Sequence, residues 1–359
     1  MNTISRCAAF GASICLGLIA SVQGAQAAET IAGAGSSAAA PVYRIWAAEY
    51  AKERGPTLAY EPIGSGAGMA RIAKRSVDFG ASDVIASRDD LKKNDLVMFP
   101  TVISGVVPVV NLPQIAPNAL KLSGEVLAQI FLGQITQWDA PEIKALNAGL
   151  KLPAQSIQRV VRSDGSGTTY HFSDYLSSVN ATWKQRYGAA TRLDWTGTVT
   201  AVKGTTAVSD AMRSTPGAIG YIDYNYVIDD KLVAVSMKNV EGQFVNAGVE
   251  GFREAVIHSA WYTAGDFSAS LTNLPGVRSW PLTMGTYIAV PRVAAQNDGT
   301  ERALKFVMWA YLHGDALARQ AKFVPLPNKV QASAYREISK VLGSHGEILG
   351  APLLGEFIK

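Results

Sequence analysis

Arg159-Val160-Val161-Arg162-Ser163-Asp164-Gly165-Ser166-Gly167-Thr168 is the stretch on which the fold of this chain turns. A short strand-like run closes on an arginine, a Gly/Ser loop follows, and Tyr170, Phe172 and Tyr175 mark a helix beginning near Gly167. A helix N-terminus presents unpaired backbone N–H groups and about half a positive charge. Arg162, at the end of the strand, can reach over that loop, and a guanidinium fork matches two oxyanion oxygens at once. Asp164 is near enough to pair with Arg162 and fix its orientation. Taken alone, the segment reads equally well as a surface ion pair beside a glycine turn.

The same strand–loop–helix pattern occurs twice more. Thr30 to Ala32 leads to Ser36-Ser37-Ala38 and then to a helix from Pro41 to about Arg54, with Val42, Ile45, Trp46 and Tyr50 on one face. Leu58 to Ile63 leads to Gly64-Ser65-Gly66 and a helix from about Ala67 to Arg75. One such junction is an ordinary serine cap. Three point to a shared anion site, because in an open α/β sheet they all lie at the carboxyl ends of strands, where ligands bind.

Outward from these junctions the chain keeps alternating short apolar strands with amphipathic helices, which predicts an α/β fold. Ser123 reads as the N-cap of a helix over Val126 to Leu132 that stops at Gly133, and Thr300 as the cap of a helix carrying Leu304, Val307, Met308 and Tyr311. Val106 to Leu112 and Thr286 to Val290 are continuous apolar strands and are expected to cross between two lobes. The first lobe is expected over 28–107 plus 290–359, the second over 108–289, with the ligand cleft between them.

Asp83 closes another apolar run, Phe79-Gly80-Ala81-Ser82. A carboxylate beside a bound anion makes sense only if the ligand has a proton to give. Phosphate has one near neutral pH and sulfate does not, so Asp83 would select by accepting an O–H. The plainer alternative is a turn or capping aspartate.

The N-terminus predicts export. Arg6 is followed by an uncharged apolar stretch from Cys7 to Val22 and by Ala25-Gln26-Ala27, an A-x-A cleavage signal, so residues 1–27 read as a signal peptide. A retained anchor is disfavoured by the short apolar run. A lipoprotein is disfavoured by Ile14 before Cys15 and by the position of Cys7. Both cysteines, Cys7 and Cys15, fall in this segment, so the mature chain lacks disulfide, thiolate and cysteine–metal chemistry. Removing Arg6 lowers the formal charge of +4 by one, and no basic run with interleaved aromatics suggests nucleic acid. About 330 remaining residues suffice for two lobes.

Other chemistries find little support. Gly33-Ala34-Gly35-Ser36-Ser37-Ala38 matches G-x-G-x-x-A formally, but a lone pattern in an exported chain is a weak dinucleotide signal. There is no Walker A sequence and no G-x-S-x-G elbow. His171, His258, His313 and His345 have no partner at metal-ligand spacing, so neither metal nor cofactor is expected. A phosphatase using Ser166 would need His171 as its base. Five residues along a helix turn His171 roughly 140° away from Ser166.

Taken together, Gly33 to Tyr43, Ile63 to Gly66, Val77 to Asp83, Ile130 to Gly133 with Trp138-Asp139, Arg162 to Thr168, Pro216 to Tyr221 and Val324 to Pro327 resemble the phosphate-binding proteins of ABC-type phosphate importers, a branch of the type II periplasmic receptors. The resemblance implies a two-lobed receptor, not an enzyme, that closes around inorganic phosphate and delivers it to membrane permease subunits, acting as a monomer. It implies that the Ser37 hydroxyl, the Ala38 N–H and Ser65 bind phosphate and that Asp83 accepts the ligand's proton. Arg162 would pair with both phosphate and Asp164, and Ser166, Gly167 and Thr168 would complete the cage. The family places threonine and an aromatic where this chain has Ser37-Ala38, which keeps the hydroxyl and removes a bulky wall. The alternatives are an exported phosphate binder used for sensing, scavenging or adhesion, and a receptor for another tetrahedral oxyanion.

N-terminal sequencing of the exported protein is expected to start at Ala28. Recovery only in the membrane fraction with residues 1–27 retained would overturn the cleavage assignment.

Overall fold

The computed structural model describes residues 29–294, 297–350 and 352–353. The expected signal segment, its cleavage site and both cysteines lie outside the described residues.

The strands, in chain order, are β1 (Thr30–Gly35), β2 (Thr57–Glu61), β3 (Phe79–Ser82), β4 (Leu96–Val110), β5 (Lys121–Leu122), β6 (Gln158–Arg162), β7 (Thr200–Val202), β8 (Ala218–Asp223), β9 (Val233–Ala234), β10 (Ser236–Lys238), β11 (Phe244–Val245), β12 (Thr283–Pro291) and β13 (Val324–Pro325). The main sheet runs β2-β1-β3-β12-β4-β8-β6-β7, with β13 and β9 also paired to β4, while β11, β10 and β5 form a small separate sheet. β1 is parallel to β2 and β3, and β6 is parallel to β7 and β8, so helical crossovers connect these strands. The fold is mixed α/β with two parallel wings, as the alternating pattern predicts.

β4 joins the wings. All fifteen of its residues are buried, which explains its unbroken apolar sequence. Its first part, Leu96–Gly105, pairs with β12, and its second, Val106–Val110, pairs with β8. At the changeover the Trp280 indole N–H donates to the Val106 carbonyl at 2.9 Å. The apolar strand expected over Val106 to Leu112 is therefore the second part of a longer strand that starts at Leu96. β12 pairs along its length with β4 and also with β3, and the expected lobe boundary at 289/290 falls inside it.

A β-bulge interrupts the β4–β12 ladder. Thr286 faces Val102 and Tyr287 faces Pro100, leaving Thr101 as the extra residue. Proline has no N–H for a ladder, and a bulge tolerates that loss while bending the strand. Thr101 Oγ1 recovers a bond by donating to the Thr286 carbonyl at 3.1 Å.

The expected helices form at Ala40–Arg54, Ser65–Ala73, Gly124–Phe131 and Gly167–Val179. Ser123 caps its helix by accepting from the Val126 N–H at 3.2 Å. Thr300 does not cap one. The last long helix starts earlier, at Asn297, and Thr300 lies buried inside it. A β-hydroxyl residue before an apolar stripe marks a helix start only when the preceding residues leave the helical path, and here they stay on it.

Helix Ser65–Ala73 sits close on the sheet because Gly68 has no side chain. A Cβ there would lie 2.3 Å from the Gly35 Cα and 2.6 Å from the Ala34 carbonyl oxygen, both backbone atoms that cannot rotate away. Gly68→Ala is therefore expected to cost about 1–3 kcal/mol, the range for overpacking. A fall in the urea midpoint with an unchanged m-value checks it, and an unchanged midpoint would refute this packing.

Candidate functional site

The three expected junctions follow the carboxyl ends of β1, β2 and β6, and they meet beside Asp83 at the end of β3. Ser37, Ala38, Ser65, Asp83, Arg162, Ser166, Gly167 and Thr168 are all buried. Gly66 N–H donates to the Gly165 carbonyl at 3.3 Å, so the first turn of helix Ser65–Ala73 touches the loop before helix Gly167–Val179. Gly167 packs against Asp83 so closely that a Cβ on it would lie 2.4 Å from the Asp83 Cβ. Any side chain at position 167 would displace the carboxylate.

Arg162 and Asp164 form a two-pronged ion pair. Nε donates to Oδ1 at 2.7 Å and Nη2 to Oδ2 at 2.6 Å, and Asp164 also accepts the Gly204 N–H at 3.1 Å. Arg162 is 3 % exposed and Asp164 11 %. Burial alone would lower the pKa of the guanidinium, but the hydrogen bonds and charge of Asp164 outweigh it and raise that pKa. Burial likewise pushes the Asp164 carboxyl up, and Arg162 and the Gly204 N–H overcome that push and hold it low. Both groups stay charged. The other edge of the guanidinium points at hydroxyls, with Nη2 3.4 Å from Ser37 Oγ and Nη1 3.4 Å from Thr205 Oγ1. Ser37 and Thr205 share a hydrogen bond of 2.8 Å.

Asp83 sits among hydroxyls. Ser36 Oγ lies 2.7 and 2.8 Å from its two oxygens, Thr286 Oγ1 donates at 2.7 Å and Ser65 Oγ at 3.3 Å. Its own N–H donates to Ser65 Oγ at 3.2 Å. Burial raises the carboxyl's pKa, and the bonds from Thr286 and Ser36, the nearby His171 and the Ser65 bond oppose that rise. Burial lowers the pKa of His171. Its Nε2 lies 2.6 Å from the Asp83 carbonyl oxygen, so the neutral ring donates there. That nitrogen is thus unavailable as a base toward Ser166, whose hydroxyl accepts from the Thr169 N–H at 3.2 Å. The nucleophile–base pair of a phosphatase is not formed.

Several residues of the site escape a reading of local motifs. Thr205 opens helix Thr205–Ser214 just after β7 and Gly204, a fourth junction of the same kind. Its signal is weaker because the strand has only three residues and Lys203 interrupts the turn. Thr286 reaches Asp83 from 203 positions away, beside the β-bulge, and nothing in its surroundings announces the contact. Asp223 ends β8 and accepts from the Thr168 hydroxyl at 3.2 Å. The resembling stretch Pro216 to Tyr221 stops two residues short of it. Ser36, adjacent to the expected Ser37, faces Asp83 instead of Arg162.

The arrangement is a set of buried donors interleaved with the carboxylates Asp83, Asp164 and Asp223. The helices Ala40–Arg54, Ser65–Ala73, Gly167–Val179 and Thr205–Ser214 all begin at it. Such termini favour an oxyanion. Among the described residues, no group of His, Asp and Glu is arranged to hold a metal ion.

Residues 20–272 match the family model of the PBP superfamily domain. The phosphate-binding protein PstS of Haemophilus influenzae is 41% identical over 303 residues, covering 84% of this chain and 90% of that protein. PstS of Xylella fastidiosa strain Temecula1 is 39% identical over 307 residues, covering 85% and 84%. Among solved structures, a high affinity periplasmic phosphate-binding protein, PfluDING, superposes with a TM-score of 0.69 over 90% of this chain and 97% of that one, at 19% identity. A phosphate-bound substrate-binding protein of a phosphate ABC transporter from Clostridium perfringens superposes with a TM-score of 0.62, over 83% of this chain and all of that one, at 18% identity. These two likenesses establish the two-lobed type II periplasmic-binding-protein fold. The chain belongs to the PBP superfamily and, within it, to the family of the PstS phosphate-binding proteins.

Proposed function

We propose that this chain is the receptor that captures inorganic phosphate in the periplasm and hands it to the permease subunits of an ABC-type importer. It is a transport receptor and carries out no reaction. Residues 1–27 direct export and are removed, and the mature chain acts as a monomer. The observation that carries this function is that a buried carboxylate, Asp83, lies at the same helix mouths as the buried donors Arg162, Ser37 and Thr205.

Each residue then has a task. Arg162, its charge held in place by Asp164, supplies guanidinium N–H groups to phosphate oxygens. Ser37, Ser65, Ser166 and Thr168 supply hydroxyls, and the backbone N–H groups of Ala38 and Gly167 complete the donors. Asp83 accepts the proton that phosphate keeps near neutral pH. The two lobes, 28–107 with 290–359 and 108–289, close as a hinge around the ligand. Contacts across the cleft, such as Gly66 to Gly165 and Ser37 to Thr205, hold the closed form. Ala38 leaves more room at the cage wall than the family's aromatic, and Arg162 and Asp83 keep the anion in register without it.

Arg162→Ala is expected to weaken phosphate binding by about 1.5–3 kcal/mol, the range for hydrogen bonds to charged groups. Titration calorimetry with the mature protein measures it, and an unchanged dissociation constant removes Arg162 from the site.

Asp83 sets the selectivity. Sulfate offers no proton, so two acceptors would face each other in a closed cleft, at a cost of several kcal/mol. Wild type should ignore sulfate in large excess, whereas Asp83→Asn, which supplies an N–H donor, should let sulfate compete against labelled phosphate. Equal discrimination by both proteins would leave Asp83 as a structural cap.

A further inference from the structure

Asp223 is a carboxylate beside the proposed anion site, and the function above gives it no task. It ends β8 and is fully buried. Its Oδ2 accepts from Thr168 Oγ1 at 3.2 Å, and its Oδ1 has no hydrogen-bond partner among the described residues. Thr168 lies in the first turn of helix Gly167–Val179, directly after the glycine that packs on Asp83. On the phosphate reading, we infer that Asp223 is a positioning residue that acts through Thr168, deciding whether that hydroxyl offers the bound anion a proton or a lone pair.

A threonine hydroxyl has a single proton. If Asp223 is ionised, it can only accept, so the Thr168 proton turns toward it and lone pairs are left for the anion. If Asp223 is neutral, its own O–H donates to Thr168 Oγ1 and frees the threonine proton for a ligand oxygen. The surroundings favour the neutral form. Burial pushes the Asp223 carboxyl up to about 8 and the charge of Asp83 adds to this, while Arg162 and the Thr168 hydroxyl oppose it. Tyr226, on the helix that follows β8, is the other titratable group facing Asp223. Burial raises its pKa, and its own neighbours include Arg44 and Asp230. A bound phosphate would press in the same direction as Asp83. The donor arrangement is therefore present at neutral pH and is lost as pH rises through the Asp223 pKa, by up to about tenfold in affinity per unit beyond it.

The test is the phosphate dissociation constant of the mature protein at pH 7.5 and 9.5, measured side by side for every variant, because free phosphate itself loses its remaining monoanion over this interval and that change is common to all of them. Wild type should bind about tenfold or more weakly at the higher pH. Asp223→Ala should bind about tenfold more weakly than wild type at pH 7.5. Asp223→Asn, whose amide donates to Thr168 at every pH, should recover most of that loss and show clearly less alkaline weakening than wild type. The same alkaline weakening in Asp223→Asn as in wild type, or no recovery over Asp223→Ala, overturns the inference. If the Asp223 variants do not fold, Thr168→Val reads the same coupling. It should be weaker than wild type at pH 7.5 and lose part of the alkaline weakening, and an unchanged slope overturns the inference. Wild type that binds no phosphate at pH 7.5 refutes the proposed function itself and this inference with it, which distinguishes that failure from the others.

Discussion

An oxyanion can leave water only where fixed donors replace its hydration and every nearby carboxylate already has a partner of its own or a proton to share. The rest of this structure follows from that constraint. Arg162 brings a full positive charge, but Asp164 neutralises it at hydrogen-bond distance, so the pair presents an oriented fork and no net charge. Attraction then depends on local dipoles, from the N-termini of four helices and from hydroxyls anchored by Asp83 and Asp223. A site held together by directed hydrogen bonds discriminates between ligands by their protons, which a simple excess of positive charge cannot do.

The sheet holds those donors in register. β1 and β3 bring Ser36, Ser37 and Asp83 from one wing, and β6, β7 and β8 bring Arg162, Thr205 and Asp223 from the other. β4 belongs to both wings and is buried throughout, so the two halves share one strand. The β-bulge opposite Thr286 makes one defect serve two purposes. It accommodates Pro100, which cannot donate to the ladder, and it lies beside the hydroxyl that bonds Asp83. Bulges near functional sites often re-aim a side chain in this way.

Much of the fold and the core of the candidate site were legible because their signals are local. A short strand, a Gly/Ser turn and an amphipathic helix lie within about a dozen consecutive residues, and the same pattern repeated three times implies one shared end of a sheet. Ser37, Ser65 and Arg162 could be named on that basis, and Asp83 from the apolar run that it closes. Thr300 failed as a cap for the opposite reason. Its signal was local too, but the chain before it was already helical.

The sequence by itself determined the α/β alternation, the strand–turn–helix junctions and the residue types able to hold an anion, because each depends on neighbours along the chain. Only the tertiary structure decided which of those residues meet. Thr286 reaches Asp83 from 203 positions away, Ser37 meets Thr205 across 168, and Asp223 reaches Thr168 across 55. No local pattern marks such contacts, because an isolated threonine or aspartate has the same neighbours whether it faces solvent or a buried carboxylate. Folding removes water from these groups, and from that step Asp83 and Asp223 acquire their raised pKa values and Thr168 a partner for its hydroxyl. Burial is a property of the whole packed chain, so the charge states that govern this site emerge only when both wings of the sheet are in place.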